Sequence, residues 1–488
     1  MNETEKLRAL PDPARRGLFI AGEWREASGG ATFGVVDPAT GEELCRVADA
    51  TPADGLRALD SAVNAQAAWA AEPPRRRSDI LRAAFDLVTA RGEELALLIT
   101  LEMGKPLSES RGEVAYAAEF LRWFSEEAVR IGGRYGPSPE GAAQLVVSKH
   151  PVGPCYLITP WNFPLAMATR KVAPALAAGC TAVLKPAALT PLTTLAFTRI
   201  MQEAGAPDGV VNVVTTTSSK AVSAPILADP RLRKLSFTGS TTVGSGLLAQ
   251  AAERVLRTSM ELGGNAPFLV FADADLDAAV EGALVAKFRN VGQACTAANR
   301  FIVHADVASE FASRVTDRVR AMRVGPGTDD EVQIGPLIDQ AAVRKNAELV
   351  ADAVARGATL LTGGREIPGP GSFFEPTVLT DVPPGSEILR EEIFGPVLAI
   401  TTFADDDEAV ARANATDYGL VAYAYTRELA RSQKLMDELE TGMLGLNTGL
   451  VSNAAAPFGG VKQSGLGREG GVEGIEEYLT TKYTRIQR

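Results

Sequence analysis

From residue 150 onward the chain alternates short β-type runs with helical patterns, and this alternation limits its fold more than any other feature. Cys155-Tyr156-Leu157-Ile158 reads as a strand, and a helix follows from about Pro164. Thr181-Ala182-Val183-Leu184 reads as the next strand, with a helix after Pro191. Residues 210–214 and 234–237 continue the series, and a second series opens at residues 267–271 and runs to 443–446. Strands joined by helical crossovers lie parallel, with helices on both faces of the sheet. The expectation is therefore α/β, with two such domains meeting near Leu262. Two segments stand apart from both series. Residues 132–149 are rich in Gly and Pro and suggest a projecting hairpin, and residues 477–483 alternate like a strand. Uncovered strands of this kind invite pairing between subunits. The stretch before residue 130 reads as mostly helical, with Ile80, Leu81, Ala84, Phe85, Leu87 and Val88 forming an apolar stripe.

At 488 residues the chain is too long for one ordinary domain. Its 49 Lys and Arg against 60 Asp and Glu give a net charge of −11, which argues against a nucleic-acid-binding protein. The one dense basic run, Arg75-Arg76-Arg77, reads as a solvated helix face. An N-terminus carrying Glu3 and Glu5 without an apolar segment looks like neither a secretory signal nor a transit peptide. The most apolar run, residues 172–184, is too short for a bilayer and contains Pro174. Cys45, Cys155, Cys180 and Cys295 are widely spaced and form no C-x-x-C pair, so neither a disulfide framework nor a metal site is expected. A reducing cytoplasm fits that usage. With only His150 and His304 present, a Cys-His dyad is poorly supplied.

Three islands carry chemistry. Cys295 sits in Gly292-Gln293-Ala294-Cys295-Thr296, Glu261 opens Glu261-Leu262-Gly263-Gly264-Asn265, and Asn162 lies in Thr159-Pro160-Trp161-Asn162-Phe163-Pro164. Thiol, carboxylate and amide are the groups needed to make, stabilise and hydrolyse a thioester. A free thiol has a pKa of about 8.5, so a nucleophilic cysteine needs a positive or dipolar neighbourhood. The plain alternative is a small buried hydrophobe, which suits Cys45, Cys155 and Cys180. Glu261, at the end of the β-type run before it, is either a cleft-facing carboxylate or an ordinary exposed strand end. Asn162, just before Pro164 and a helix, is either an N-cap or an oxyanion donor. The string Phe237-Thr238-Gly239-Ser240-Thr241 reads as strand, tight turn and helix, which can present backbone amides to a phosphate. It is neither G-x-G-x-x-G nor a P-loop. Lys185-Pro186 lies at a strand's carboxyl end, where open α/β sheets hold ligands.

Taken in order and spacing, the strings TPWNFP, FTGST, LELGGN, GQAC and EEIFGPV resemble the aldehyde dehydrogenase superfamily over essentially the whole chain. The resemblance implies a Rossmann-like cofactor domain (1–129 and 150–261), a second α/β catalytic domain (262–447) and a small β arm for oligomerisation (130–149 and 470–488). It implies a homodimer or homotetramer. It makes Cys295 the nucleophile and Glu261 the general base, with Asn162 and the Cys295 amide forming the oxyanion hole. Thr159, Trp161, Lys185, Ala188, Gly239, Ser240, Glu392 and Phe394 would contact the cofactor, Lys185 holding the adenosine ribose and Glu392 the nicotinamide ribose.

Within the superfamily, ATRKVAPALAAGC, KFRNVGQAC, NTGLVSN and APFGGVKQSGLGREG are most similar to succinate-semialdehyde dehydrogenases. That likeness maps a clamp for the substrate's distal carboxylate onto Arg170, Arg289 and Ser452. A guanidinium can hold a carboxylate with two parallel hydrogen bonds, which favours the clamp over the alternative, a structural ion pair at each arginine. Glutarate semialdehyde is one methylene longer, worth only about 1–3 kcal/mol in a pocket, so both chain lengths stay open. Relatives that prefer NAD often carry glutamate at position 188. Ala188 removes the repulsion that a 2′-phosphate would meet, and the expected cofactor is NADP, with NAD possible. Ala297 leaves Cys295 without a neighbouring cysteine to form a disulfide. Other aldehyde dehydrogenases, a CoA-acylating relative and a catalytically silent homologue complete the alternatives.

Overall fold

The computed structural model describes residues 10–487, and Glu3 and Glu5 lie outside the described residues. Two large sheets organise them. The first runs, edge to edge, through Glu23–Arg25, Leu18–Ile20, Val211–Val213, Ala182–Lys185, Cys155–Ile158, Lys234–Thr238, Arg257–Glu261 and Gly465–Leu466. Its five central strands are parallel, while the strands at either side pair antiparallel. The second sheet is ordered Thr359–Thr362, Thr377–Thr380, Val397–Phe403, Ala298–His304, Ala266–Val270, Val421–Tyr425 and Met443–Leu446, and only its first strand is antiparallel. This is the α/β architecture that the alternating pattern requires.

The near-continuous apolar strands follow from burial on both faces. Along Cys155–Ile158, Cys155 and Leu157 join one core, with helices Pro74–Ala90, Leu107–Glu127 and Ala166–Ala178. Tyr156 and Ile158 point the other way, into a core shared with helix Pro52–Ala71. In the second sheet Phe268 and Val270 face one core, Leu269 and Phe271 the other. Local signals set the helix ends. Thr51 and Asp54 form a reciprocal capping box on Pro52–Ala71. Gly179, at φ +90°, stops Ala166–Ala178 in the left-handed conformation. That helix continues through Pro174, whose missing N–H leaves the Arg170 carbonyl without its helical donor.

The third sheet joins Arg134–Pro137, Ala143–Pro151 and Leu479–Gln487, all antiparallel. The hairpin and the C-terminal strand, read separately from the sequence, are thus neighbours. Among the described residues, no helix is long and apolar enough to cross a membrane.

Two readings need correction. Residues 52–127 are helical as expected, but Leu18–Ile20, Glu23–Arg25, Thr32–Val36 and Glu43–Ala48 are strands. Each is only a few residues long, too short to build a periodic signal. The basic run is a solvated face at Arg75 and Arg76 only. Arg77 is buried, its Nε donating to the Ala177 carbonyl at 3.1 Å and its Nη1 to that of Glu72 at 2.8 Å. It ties helix Pro74–Ala90 to the end of Ala166–Ala178. Arg77→Met should lower unfolding free energy by about 2–3 kcal/mol in urea titration, and Arg76→Met by no more than about 0.5 kcal/mol.

Candidate active site

Residues 262–265 carry the chain from the first sheet to the second, and a cavity of about 340 Å³, lined in part by Leu262 and Gly263, lies over this junction. Of the residues singled out from sequence, Trp161, Asn162, Arg170, Gly239, Ser240, Arg289, Cys295, Glu392, Phe394 and Ser452 line it. Thr159, Lys185, Ala188 and Glu261 do not.

Cys295 is half-buried, on a loop that leaves helix Leu276–Phe288 through a sharp reversal. Asn290 and Val291 adopt φ of 56° and 57°, and Gly292 follows at 73°. A side chain at Gly292 would stand 2.2 Å from the Gly395 carbonyl oxygen, and one at Gly264 would stand 2.5 Å from that of Cys295. The paired glycines of Leu262-Gly263-Gly264-Asn265 therefore let one sheet's linker lie against the cysteine loop of the other. Burial pushes the Cys295 thiol up to about 12; Arg170 and Arg289 pull it down, whereas Glu392 and Glu261 push it further up. At neutral pH the group is a thiol in the ligand-free chain, not the thiolate that a positive neighbourhood alone would give.

Asn162 does not cap the following helix. Glu113 does so instead, its Oε1 accepting from the Leu165 and Ala166 amides at 2.9 and 3.2 Å. The Asn162 side-chain amide donates to the Gln293 carbonyl at 2.9 Å, which fixes its plane beside the cysteine loop. One of its two amide hydrogens is thereby used and the other is left over.

Glu261 ends strand Arg257–Glu261, and its carboxyl is buried behind the cavity wall with neither oxygen hydrogen-bonded. Burial and the neighbouring Glu469 charge raise it well above the usual carboxylate range, against Arg170, Lys171 and Arg468. Glu469 is buried too, but Lys171 and Arg170 outweigh that burial and hold it below its ordinary value. Lys171 Nζ lies 2.5 Å from Glu469 Oε1, and Arg170 Nε lies 2.5 Å from Oε2. The ion pair considered as an alternative role for Arg170 is thus present. Arg170 nevertheless lines the cavity, its guanidinium carbon 4.1 Å from the centre of the Phe458 ring.

Arg289 is half-buried and makes no ion pair among the described residues, donating only weakly to Thr296 Oγ1 at 3.5 Å. The hydroxyl of Tyr116, on helix Leu107–Glu127, is buried without a well-formed protein partner. Tyr116, Arg170, Arg289, Ser452 and Phe458 together line the cavity, giving it two cations, two hydroxyls and an aromatic wall.

The opposite part of the cavity fits a nucleotide. Gly239 and Ser240 follow strand Lys234–Thr238 and precede helix Thr241–Ala252, whose N-cap makes no side-chain bond to its amides. A Cβ at Gly239 would stand 2.5 Å from the Phe237 ring, so a side chain there would have to displace that ring. Thr238 Oγ1, and Thr159 Oγ1 on the next strand end, are buried without partners. Lys185 ends the neighbouring strand Ala182–Lys185; burial pushes it down to about 8, and its Nζ reaches only Ser219 Oγ (3.1 Å) and the Pro186 carbonyl (3.2 Å). Ala188 is half-buried and brings no carboxylate. Glu392 accepts from the Gly264 amide at 3.1 Å and is raised by burial to about 7. Phe394, at φ +54°, sets its ring edge-on to Trp161 with centroids 5.4 Å apart. Unsatisfied hydroxyls and open helix amides at the carboxyl ends of parallel strands suit a phosphate-bearing ligand.

Sequence reasoning missed Lys171, Tyr116, Phe458 and Glu469. Phe458 and Glu469 lie inside the string APFGGVKQSGLGREG, and Lys171 follows Arg170 directly, but nothing local to them signals a shared site.

A model of the aldehyde dehydrogenase family matches residues 24–484. A succinate-semialdehyde dehydrogenase of Paenarthrobacter nicotinovorans is 60% identical over 91% of this chain and 98% of its own. A glutarate-semialdehyde dehydrogenase of Pseudomonas aeruginosa is 48% identical over 96% of this chain and 97% of its own. The crystal structure of an NADP-dependent enzyme from E. coli superposes with a TM-score of 0.96 at 47% identity, covering 98% of this chain and 100% of that one.

Alkylation of Cys295 by iodoacetamide in the ligand-free protein should rise about tenfold per pH unit from pH 7 to beyond 9. Cys295→Ala supplies the background from the other cysteines. A plateau below pH 9 would contradict the raised thiol.

Proposed function

Because this chain belongs to the aldehyde dehydrogenase family, we propose that it oxidises succinate semialdehyde to succinate, taking NADP in preference to NAD. The observation that carries the reading is Arg289, a cation without an ion pair among the described residues, in a cavity that also holds Cys295, Arg170 and Ser452. An uncharged aldehyde would have no use for it, whereas a distal carboxylate neutralises it.

Cys295 Sγ, once deprotonated, adds to the aldehyde carbon. The free amide hydrogen of Asn162 and the Cys295 N–H stabilise the oxyanion that forms. A nicotinamide held there would supply the oxidant, taking the hydride that leaves the former aldehyde carbon. Arg170, Arg289 and Ser452 hold the far carboxylate, so the aldehyde meets the sulfur in one orientation. The acyl group is left as a thioester on Cys295. Glu261 turns from behind the wall and takes a proton from the water that cleaves it. Thr159, Trp161, Lys185, Gly239, Ser240, Glu392 and Phe394 hold the cofactor, and Lys185 with Ala188 accommodates a 2′-phosphate.

Glutarate semialdehyde is a second reading, favoured by the glutarate-semialdehyde dehydrogenase at 48% identity. Residues 1–129 and 150–261 are read as the cofactor-binding domain, 262–447 as the catalytic domain, and 130–149 with 470–488 as the arm; residues 1–9 and 488 lie outside the described residues. On that arm Tyr135, Tyr483 and Ile486 are 72%, 56% and 50% exposed, which supports pairing into a homodimer or homotetramer. Four free cysteines suit the cytoplasm.

The test compares kcat/KM for succinate semialdehyde, glutarate semialdehyde and butanal, each with NADP and NAD. Arg289→Leu should cost about a hundredfold on succinate semialdehyde and less than about threefold on butanal. Equal losses remove Arg289 from the clamp. Ala188→Glu should shift the cofactor ratio towards NAD by about tenfold or more through charge repulsion. An unchanged ratio removes position 188 from cofactor choice.

A further inference from the structure

One fully buried ion pair beside the site has no part in the chemistry above. Helix Gly92–Met103 ends at Gly104, which turns left-handed at φ +96°. Lys105 follows, 1% exposed, with its Nζ 2.5 Å from Glu113 Oε2 and 4.0 Å from the centre of the Phe163 ring. The same ammonium donates to the backbone carbonyl of Asn162 at 2.8 Å.

Asn162 is held twice. Its carbonyl accepts from Lys105 and, at 3.1 Å, from Asn290 Nδ2. Its side-chain amide donates to the Gln293 carbonyl, which Asn290 Nδ2 also reaches, at 2.8 Å. Glu113 completes the frame: one oxygen holds Lys105, and the other caps the helix that carries Arg170. Taking an ammonium and a carboxylate out of water costs about as much as their attraction returns, so stability does not explain the pair. A well-packed apolar pair would serve the core as well. It would not hold a carbonyl.

We propose that Lys105 is a positioning residue for the reaction: paired with Glu113, its ammonium pins the Asn162 backbone so that the side-chain amide stays aimed at the developing oxyanion. The inference rests on Asn162 acting as oxyanion donor. Phe163 and Asn290 complete the frame, so the amide needs no reorganisation when charge develops.

The test is a double-mutant cycle on the enzyme with NADP and succinate semialdehyde. Lys105→Met alone leaves Glu113 buried and unpaired and risks misfolding, so it is combined with Glu113→Gln, which keeps an acceptor for the Leu165 and Ala166 amides. Asn162→Ala should lower kcat about a hundredfold or more. The Lys105→Met/Glu113→Gln pair should lower kcat about tenfold or more, with KM within about threefold and NADP binding, followed by fluorescence, unchanged. Added to Asn162→Ala, the same pair should change kcat by less than about twofold, because its effect passes through the missing amide. Full kcat for the pair, or equal losses in both backgrounds, overturns the positioning role while leaving Asn162 in place. Full kcat in Asn162→Ala overturns the oxyanion assignment and this inference with it.

Discussion

The contact on which the rest depends is the passage of Gly263 and Gly264 between the two sheets. Strand Arg257–Glu261 closes one parallel series and Ala266–Val270 begins the other. The linker between them packs against the Cys295 carbonyl and gives the Gly264 amide to Glu392. Glycine is required at Gly264 because any Cβ would collide with that carbonyl. A carboxyl group behind the cavity wall, from one sheet, and a thiol in the cavity, from a loop of the other, are thereby set around the same junction by backbone, before any side chain is chosen.

Around that contact the protein buries charge to an unusual degree. Arg170, Lys171 and Glu469 form one cluster, Lys105 and Glu113 another, and Glu261 stands beside the first without a partner of its own. Paired charges in a low-dielectric interior are rigid, since moving either member exposes the other to the full cost of desolvation. The uncommitted groups, Glu261 and Arg289, are the ones with freedom to act on something else.

The sequence makes the sheets legible where strands are buried on both faces. Cys155–Ile158 and residues 182–184 are apolar runs set between helical patterns, the arrangement that a parallel sheet covered on both faces produces. The three- to six-residue strands before residue 50 gave no such signal. Gly239 and Ser240 sit in a strand-to-helix turn, which reads locally, whereas Arg170 lies within helix Ala166–Ala178 and is marked by its string rather than by a turn. Glu469 and Lys105 did not read, because their meaning lies in partners far along the chain. Arg77 was misread for a related reason: its neighbours Arg75 and Arg76 are solvated, and one of its acceptors, the Ala177 carbonyl, lies a hundred residues along the chain. Cys295 lay in a polar turn, and only the packed structure reveals that burial dominates its titration.

Residues 464–469 have a consequence for the order in which the fold can be completed. Gly465 pairs with Glu261 at the edge of the first sheet, the Ser464 carbonyl accepts from the Leu262 amide, and Glu469 neutralises Arg170 and Lys171. A ribosome delivers the N-terminal parts first, at about 5–20 residues per second. Until residues 464–469 emerge, Arg170 and Lys171 lack their counter-charge and the sheet lacks an edge. The first sheet's central strands are therefore made well before the residues that complete them, and its buried cations stay uncompensated while the whole second sheet is synthesised.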